Sequence, residues 1–396
     1  MKLFQHLLVA PAALGLISPI AANATEINLN EISNYSDVES IELANSFDSD
    51  KPNKSLLLAG GEGLADTDSY DGGFSETTTA SFSADFAIGA VNGKGITNTV
   101  TDGDETVQAI YGFQIDLNSS FTGEDSLDIS IDAGNAAVSS GAQTGPLAEF
   151  DLNGGGDGLV VDGVSYTFPL GDKTTVIVGD NTDGSALFNL ACVYGGPSNT
   201  LDDCGAPKAG ITGGGVALGA SYDIGAGFTT AVGFQFTETG IATEGVNDQY
   251  AFNLAYTADN YGVSYTYAAY ENGDTHTNSY NALNGYYTLD NGLSISAGYE
   301  VGALQNASSD DADETLAYFV GVDTEVGPGT LGAAYGTYGV QTEASNSIPD
   351  RMMYEVYYSY EINDGMTITP LLYSVEGSSA TDEDETGIMV KTSFSF

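Results

Sequence analysis

The chain has 396 residues, 55 of them acidic and 8 basic, for a formal net charge of −47. That balance excludes a nucleic-acid-binding or anion-attracting surface and favours cations as mobile partners. With 51 glycines, 24 tyrosines and no tryptophan, 42% hydrophobic and 10% aromatic content, the composition points to a folded, turn-rich sheet protein rather than a disordered acidic chain.

Residues 1–24 read as a secretory signal. Lys2 supplies the positive n-region, Leu7 to Ile20 an apolar stretch broken by Pro11 and Pro19, and Ala22-Asn23-Ala24 a small-x-small cleavage site. The mature chain is expected to start at Thr25. No later window offers about 18 consecutive apolar residues, so the exported chain is either soluble or inserted as a barrel. Residues 25–73 show no sustained period around the patch Leu56-Leu57-Leu58-Ala59 and read as a flexible periplasmic arm.

From Phe74 to the C-terminus the chain alternates. Phe82, Ala84, Phe86 and Ile88 oppose Ser81, Ser83 and Asp85. Val107 to Leu117 and Leu127 to Ile131 follow with the same period, then Val164 to Phe168 and Thr174 to Val178. Pairs follow at 216–222 with 228–236 and at 250–256 with 261–269. Segments at 280–289, 293–301, 316–322, 331–337, 352–362, 366–375 and 386–396 complete about sixteen strands, the last ending on Phe396. Strands with one apolar and one polar face, each of this length, are those of an all-β transmembrane antiparallel barrel, where one side meets lipid and the other a watery lumen.

The connections sort by length. Short turns fall at Pro169–Lys173, Asp223–Gly227, Ala258–Asn260, Asp290–Gly292, Glu325–Gly329 and Asn363–Gly365, several with Asn-Gly or Asp-Gly hairpin character. Longer polar segments at 91–104, 134–158, 180–213, 238–248, 271–278, 302–314, 341–350 and 376–385 alternate with them, as outer loops alternate with periplasmic turns. Outward aromatics such as Tyr222, Phe236, Tyr250, Tyr256, Tyr261, Tyr299, Tyr358 and Tyr360 fit interfacial girdles.

Segment 180–213 is the longest and holds both cysteines, Cys192 and Cys204. An oxidising compartment and a shared Gly/Asn/Asp-rich segment predict a loop-closing disulfide. Folded inward, the segment would bring Asp180, Asp183, Asp202 and Asp203 to a constriction, with Lys208 as counter-charge; folded outward, its acids are simply solvated. The strand faces predict further lumen charges at Asp85, Asp116, Asp128, Asp132, Glu300, Asp323, Glu355 and Glu361, against Arg351 and Lys391. Rings of carboxylates in an aqueous channel favour cations.

Other chemistry finds little support. Asp151, Asn153, Asp157 and Asp162 imitate calcium-loop spacing around Gly156, but Gly155 stands at a ligand position and Asp162 where Glu is expected. A solvated outer loop is the expectation, with no metal centre. Acidic stretches such as Asp310-Asp311 and 382–385 suit loose binding of divalent ions that bridge to lipopolysaccharide phosphates. No Gly-x-Ser-x-Gly or His-Glu-x-x-His motif occurs, and the one histidine past the signal is His276. No catalytic residue and no cofactor is expected, and the contrasting class is a non-conducting structural or adhesive barrel.

Residues 74–89, 116–135, 166–179 and 215–222 resemble cyanobacterial outer-membrane porins related to the carbohydrate-selective porin family. The Ser120-Phe121-Thr122-Gly123 hairpin is the most specific of these segments. The resemblance covers roughly residues 74–396 and implies a sixteen-stranded, trimeric pore for ions and small solutes, in contact with outer-membrane lipid and lipopolysaccharide. The surface-layer-homology domain and coiled segment usual in that family are not visible in residues 25–73. The family's carbohydrate label therefore sets no substrate here.

Overall fold

A computed structural model describes residues 77–92, 107–136, 147–154, 156–241, 243, 245–272, 276–305, 313–342, 351–377 and 384–396. The signal region, the arm and Asp310-Asp311 lie outside the described residues, as does Gly155.

The strands are β1 (Thr78–Asn92), β2 (Gln108–Ser119), β3 (Ser126–Gly134), β4 (Gly156–Pro169), β5 (Thr174–Asp180), β6 (Val216–Gly225), β7 (Phe228–Phe236), β8 (Gln249–Thr257) and β9 (Tyr261–Asn272). They continue as β10 (His276–Thr288), β11 (Ser294–Leu304), β12 (Asp313–Val326), β13 (Gly329–Thr337), β14 (Gln341–Thr342), β15 (Met352–Asn363), β16 (Met366–Val375) and β17 (Glu385–Ser395). All pairings are antiparallel, and β1 closes the sheet by pairing with both β2 and β17. The two-residue β14 pairs with β12 beyond the end of β13 and continues that strand, so 17 segments make a sixteen-stranded closed barrel. Closure removes every sheet edge, which a spanning sheet requires because lipid offers no hydrogen-bonding partner.

Each of the sixteen expected strands is present. The largest displacement is in β4, which begins at Gly156 rather than near Val164. Register shifts against β3, at Ser130/Ile131 and Asp132/Gly134, accommodate its first turn of residues and break the two-residue period that marks a strand in the sequence. Short turns at 120–125, 170–173, 258–260 and 289–293 join strands at one end. The opposite strand ends lead into the longer connections.

The outward face follows from the alternation. Leu218, Val232, Leu254, Val263, Leu283, Ile295, Val320, Val356 and Leu372 are exposed on it. Towards the short turns it carries aromatic neighbours, including Phe228–Tyr256 with centroids 4.7 Å apart, Tyr256–Tyr261 at 5.7 Å and Phe82–Phe396 at 5.7 Å. Towards the long loops it carries Phe234–Phe236 at 6.0 Å and Tyr335–Tyr354 at 6.2 Å. Two aromatic belts around an aliphatic band are the pattern that amphipathic rings adopt at the two interfaces of a bilayer.

The buried apolar cluster lies inside the barrel, not between layers. Leu147, Phe150 and Leu152 join Tyr194, Leu201 and Cys204 against Phe319, Met353, Tyr357, Leu371, Tyr373 and Met389 of the wall. Two long connections therefore fold into the lumen.

Candidate functional site: the barrel lumen

Inward positions of β7 to β15 carry isolated polar side chains that are almost fully buried: Gln235, Asn253, Ser264, Ser296, Glu300 and Glu355. A buried polar group needs a partner, and here the partner is the backbone of segment 180–213. The amide of Gly184 donates to Gln235 Oε1 at 2.8 Å, Asn189 to Asn253 Oδ1 at 3.1 Å, Ala191 to Ser264 Oγ at 2.8 Å and Val193 to Ser296 Oγ at 3.1 Å. Alternate amides of the loop thus find successive strands of the wall, as an extended chain crossing the barrel does. Tyr194 donates its hydroxyl to Glu355 Oε1 at 2.7 Å, and the amides of Lys208 and Ala209 both donate to Glu300 Oε2. The return limb is held by Tyr270, whose hydroxyl lies 2.8 Å from the carbonyls of both Lys208 and Gly210.

Such close approach needs missing side chains on the wall. A Cβ on Gly298 would stand 1.8 Å from the Cys204 carbonyl oxygen, and one on Gly233 would stand 2.1 Å from that of Gly184. Cys192 and Cys204 are joined by a disulfide that closes the turn carrying Ser198 to Asp203.

The second inward segment was unexpected. Residues 147–153, read from the sequence as part of a solvated outer loop, lie in the lumen on β2 and β3. The side-chain amide of Asn153 donates to the Phe113 carbonyl at 3.3 Å, and a Cβ on Gly134 would meet the Asn153 carbonyl oxygen at 1.9 Å. The calcium-loop spacing is thereby split: Asp151 and Asn153 belong to this segment, while Asp157 and Asp162 belong to β4. Asp157 accepts from the Tyr111 hydroxyl at 2.7 Å, and no group of three or more metal-ligating side chains occurs among the described residues.

The loop packs against β7 to β15, and at the long-loop end of β16 and β17 residues 147–152 pack with the inward apolar side chains Leu371, Tyr373 and Met389. Towards the short turns the inward positions of β16, β17 and β1 to β3 are polar, among them Thr367, Ser393, Ser83, Gln114, Asn118 and Ser130. Four carboxylates occupy successive inward rows along β2: Asp128 faces Asn118, Asp116 faces Ser130, Asp132 faces Gln114 and Asp85 faces Gly112. Two residues of rise separate the rows, so they are about 7 Å apart. Asp116 accepts from Gln114 at 2.8 Å and from Ser130 at 2.7 Å, and Asp128 accepts from Asn118 and Ser126. None of the four has a cation within ion-pair distance among the described residues.

At its upper end the file opens into a recess of about 150 Å³ lined by Ser83, Asp85, Gln114, Asp151 and Asn153. Asp202 and Asp203 of the disulfide-closed turn are repelled by Asp151, and at Asp203 Lys208 acts against that repulsion. Both aspartates remain exposed to lumen water. Partial desolvation, reinforced by Asp203 and Asp151, pushes Asp202 up to about 7. Asp203 rises to about 6, desolvation outweighing the opposing pull of Lys208. Asp183, exposed at the start of the loop, is raised by desolvation while the Gly213 amide holds it down.

Four expected lining residues do not border a passage, one of them Glu300, buried under the Lys208 and Ala209 amides. Asp180 ends β5 in the register row of Val164 and Val216, which is the outward face. Glu355 is inward but 2% exposed, covered by Tyr194, so it holds the loop rather than lining a passage. Arg351 sits just before β15, 3.5 Å from Glu385, over the Tyr338 ring and donating to the Glu376 carbonyl. Lys391 is inward and lies over Phe150 at 5.6 Å. Gln235, Asn253, Ser264 and Ser296 went unremarked in the sequence; isolated polar residues next to inward glycines were the available signal.

No protein-family model matches the chain, and no curated protein does. Solved outer-membrane barrels match it in shape. Pseudomonas putida OprB, in its high-pH structure, aligns with a TM-score of 0.57 at 12% identity over 81% of this chain and 94% of that one. The anion-selective porin from Comamonas acidovorans gives 0.56 at 13% over 81% and 99%. OmpT from Vibrio cholerae, in its trimer form, gives 0.56 at 13% over 81% and 100%. At such identities the likeness is one of architecture: the chain has the closed sixteen-stranded barrel fold of bacterial porins.

Proposed function

We propose that this chain is an outer-membrane porin for passive diffusion of ions and small hydrophilic solutes, cation-preferring, with residues 180–213 as the constriction loop. The observation that carries this reading is the run of half-buried inward carboxylates Asp128, Asp116 and Asp85, with Asp132 buried among them, none with an ion-pair partner among the described residues, leading to the recess shared with Asp151. Rows about 7 Å apart along the strands put carboxylates on adjacent strands within about one Debye length of each other at physiological salt, so a hydrated cation on this wall stays within reach of a negative charge. The reading extends to a homotrimer in contact with outer-membrane lipid and lipopolysaccharide, to a removed signal 1–24 and to a periplasmic arm 25–73. It keeps the kinship with cyanobacterial porins related to the carbohydrate-selective family, without a substrate from that name.

Planar-bilayer recording tests it. Open steps with a reversal potential on the cation side of a potassium chloride gradient are expected. Removing one charge 4 Å from the ion path is worth about 1 kcal/mol in water, roughly fivefold in permeability ratio. Asp116→Asn is therefore expected to lower the cation-to-anion ratio by about that factor, whereas Glu361→Gln at the barrel end changes it little. A folded protein that inserts without conducting overturns the porin reading. The apolar cluster of Leu147, Phe150, Leu201 and Met389 inside the barrel favours that second reading, a plugged structural barrel.

A further inference from the structure

The two inward segments meet at one side chain. Three hydrogen bonds from the disulfide-closed turn converge on Glu149 of the segment 147–153. Its Oε2 takes the Thr200 amide at 3.3 Å, its Oε1 the Thr200 hydroxyl at 3.2 Å, and its carbonyl the Asn199 amide at 2.8 Å. Glu149 is 6% exposed and is also hydrogen-bonded by Tyr338. Leu147 and Phe150 on either side are packed into the lumen cluster. An apolar residue would fill this position at less cost, since a buried carboxylate without an ion-pair partner loses its hydration. What a leucine or phenylalanine cannot do is take two directed donors from the next segment.

The turn so held carries the charges of the constriction. Asp202 and Asp203 follow Thr200 by two and three residues, with Leu201 buried between them and the wall. The wall side of the turn is anchored by Val193 on Ser296, Tyr194 and Ser198 on Glu355, Gly195 on Asp323 and the Asn284 amide on the Cys204 carbonyl, and Glu149 supplies the anchor from the second inward segment. We propose that Glu149 is the positioning residue that fixes the turn 192–204, and with it Asp202 and Asp203, across from Asp85 and Asp151. The proposal rests on the conducting reading above for its effect on permeation, but its structural half stands apart from it.

The test uses the full chain folded in detergent micelles, with Glu149→Ala, Glu149→Gln and Thr200→Val. Heat-modifiable mobility on gels checks that each barrel is intact. The first readout is the rate at which dithiothreitol opens the Cys192–Cys204 disulfide, followed by maleimide mass-tagging. Cys204 is 2% exposed and Cys192 partly buried, so access of the attacking thiolate to the bond increases as the turn loosens from the wall. Reduction is expected at least about tenfold faster in Glu149→Ala, which removes both Thr200 hydrogen bonds to the carboxylate. Glu149→Gln, which keeps one acceptor oxygen, should fall between. Should Glu149→Ala fail to fold, Thr200→Val, near-isosteric, carries the same expectation in smaller measure. Unchanged rates in folded variants overturn the proposal.

The second readout is coupling. Asp202→Asn with Asp203→Asn should lower cation preference in the parent and change it little once Glu149 is alanine. An equal effect in both backgrounds overturns positioning. If the parent does not conduct, the porin reading fails and the reduction rates alone decide the inference.

Discussion

Asp125, in the turn between β2 and β3, accepts five hydrogen bonds: from the Ser120 and Thr122 hydroxyls, the Phe121 and Thr122 amides, and the Tyr166 hydroxyl of β4 at 2.6 Å. The Tyr166 bond above all, helped by Thr122 and Ser120, holds the carboxyl well below the ordinary carboxylate range. A depressed folded pKa contributes stability above the unfolded value of about 3.9 and loses it as pH falls below that value. Asp125→Asn is thus expected to lower the temperature at which the folded gel band disappears at pH 7, with the gap to the parent narrowing below about pH 4. Asp202 and Asp203 run the other way. With folded values of about 7 and 6, both are charged at pH 8 and neutral at pH 5. The loop is consequently more stable on the acid side, while cation preference, measured by reversal potential, declines from pH 8 to pH 5 with its midpoint between the two values. A flat profile would remove these carboxylates from the ion path. Alternation in the sequence assigned Glu355 and Glu300 to the inward face, where both lie under the loop. It could not say what lies on top of them, because burial under a loop depends on a chain path that no local period encodes.

At the scale of elements, the strands were legible because lipid and lumen impose opposite polarities on successive residues. The inward course of 180–213 was legible only as one of two options, and that of 147–153 not at all. What decides both paths is a set of gaps and partners on the wall: Gly134, Gly233 and Gly298 leave room for backbone, and Asn253, Ser264 and Ser296 receive its amides. These residues are scattered over five strands, so they make a surface only after the barrel has closed. Filling one gap should therefore move the loop without opening the barrel. Gly298→Val would drive the Cys204 backbone away from β11 into the passage, at an overpacking cost of about 1–3 kcal/mol. Unit conductance is expected to fall while gel mobility stays that of a folded barrel. An unchanged conductance would mean that the turn does not border the open path.

The whole molecule is a sheet whose two faces solve different solvation problems, and the strongest consequence concerns which face a charge can occupy. Leu254, near the middle of β8, lies on the exposed aliphatic band between the aromatic belts, and Ser130, near the middle of β3, lies inward beside Asp116. An arginine at the bilayer midplane of a barrel costs about 2–4 kcal/mol because its guanidinium must be solvated by lipid or drawn to an interface. The same residue in a wet lumen keeps its water and, at Ser130, gains a carboxylate neighbour. Leu254→Arg is expected to destabilise the barrel by about that amount in reversible unfolding into lipid vesicles, with no change in selectivity among the molecules that fold. Ser130→Arg is expected to leave stability nearly unchanged and to shift the reversal potential towards anions, since it neutralises the file at Asp116. A register slip of one residue would exchange the two outcomes, because every side chain would then change face. Arginine tolerated at Leu254 and harmful at Ser130 would therefore reject the inside-outside assignment on which the lumen, the file and the constriction all depend.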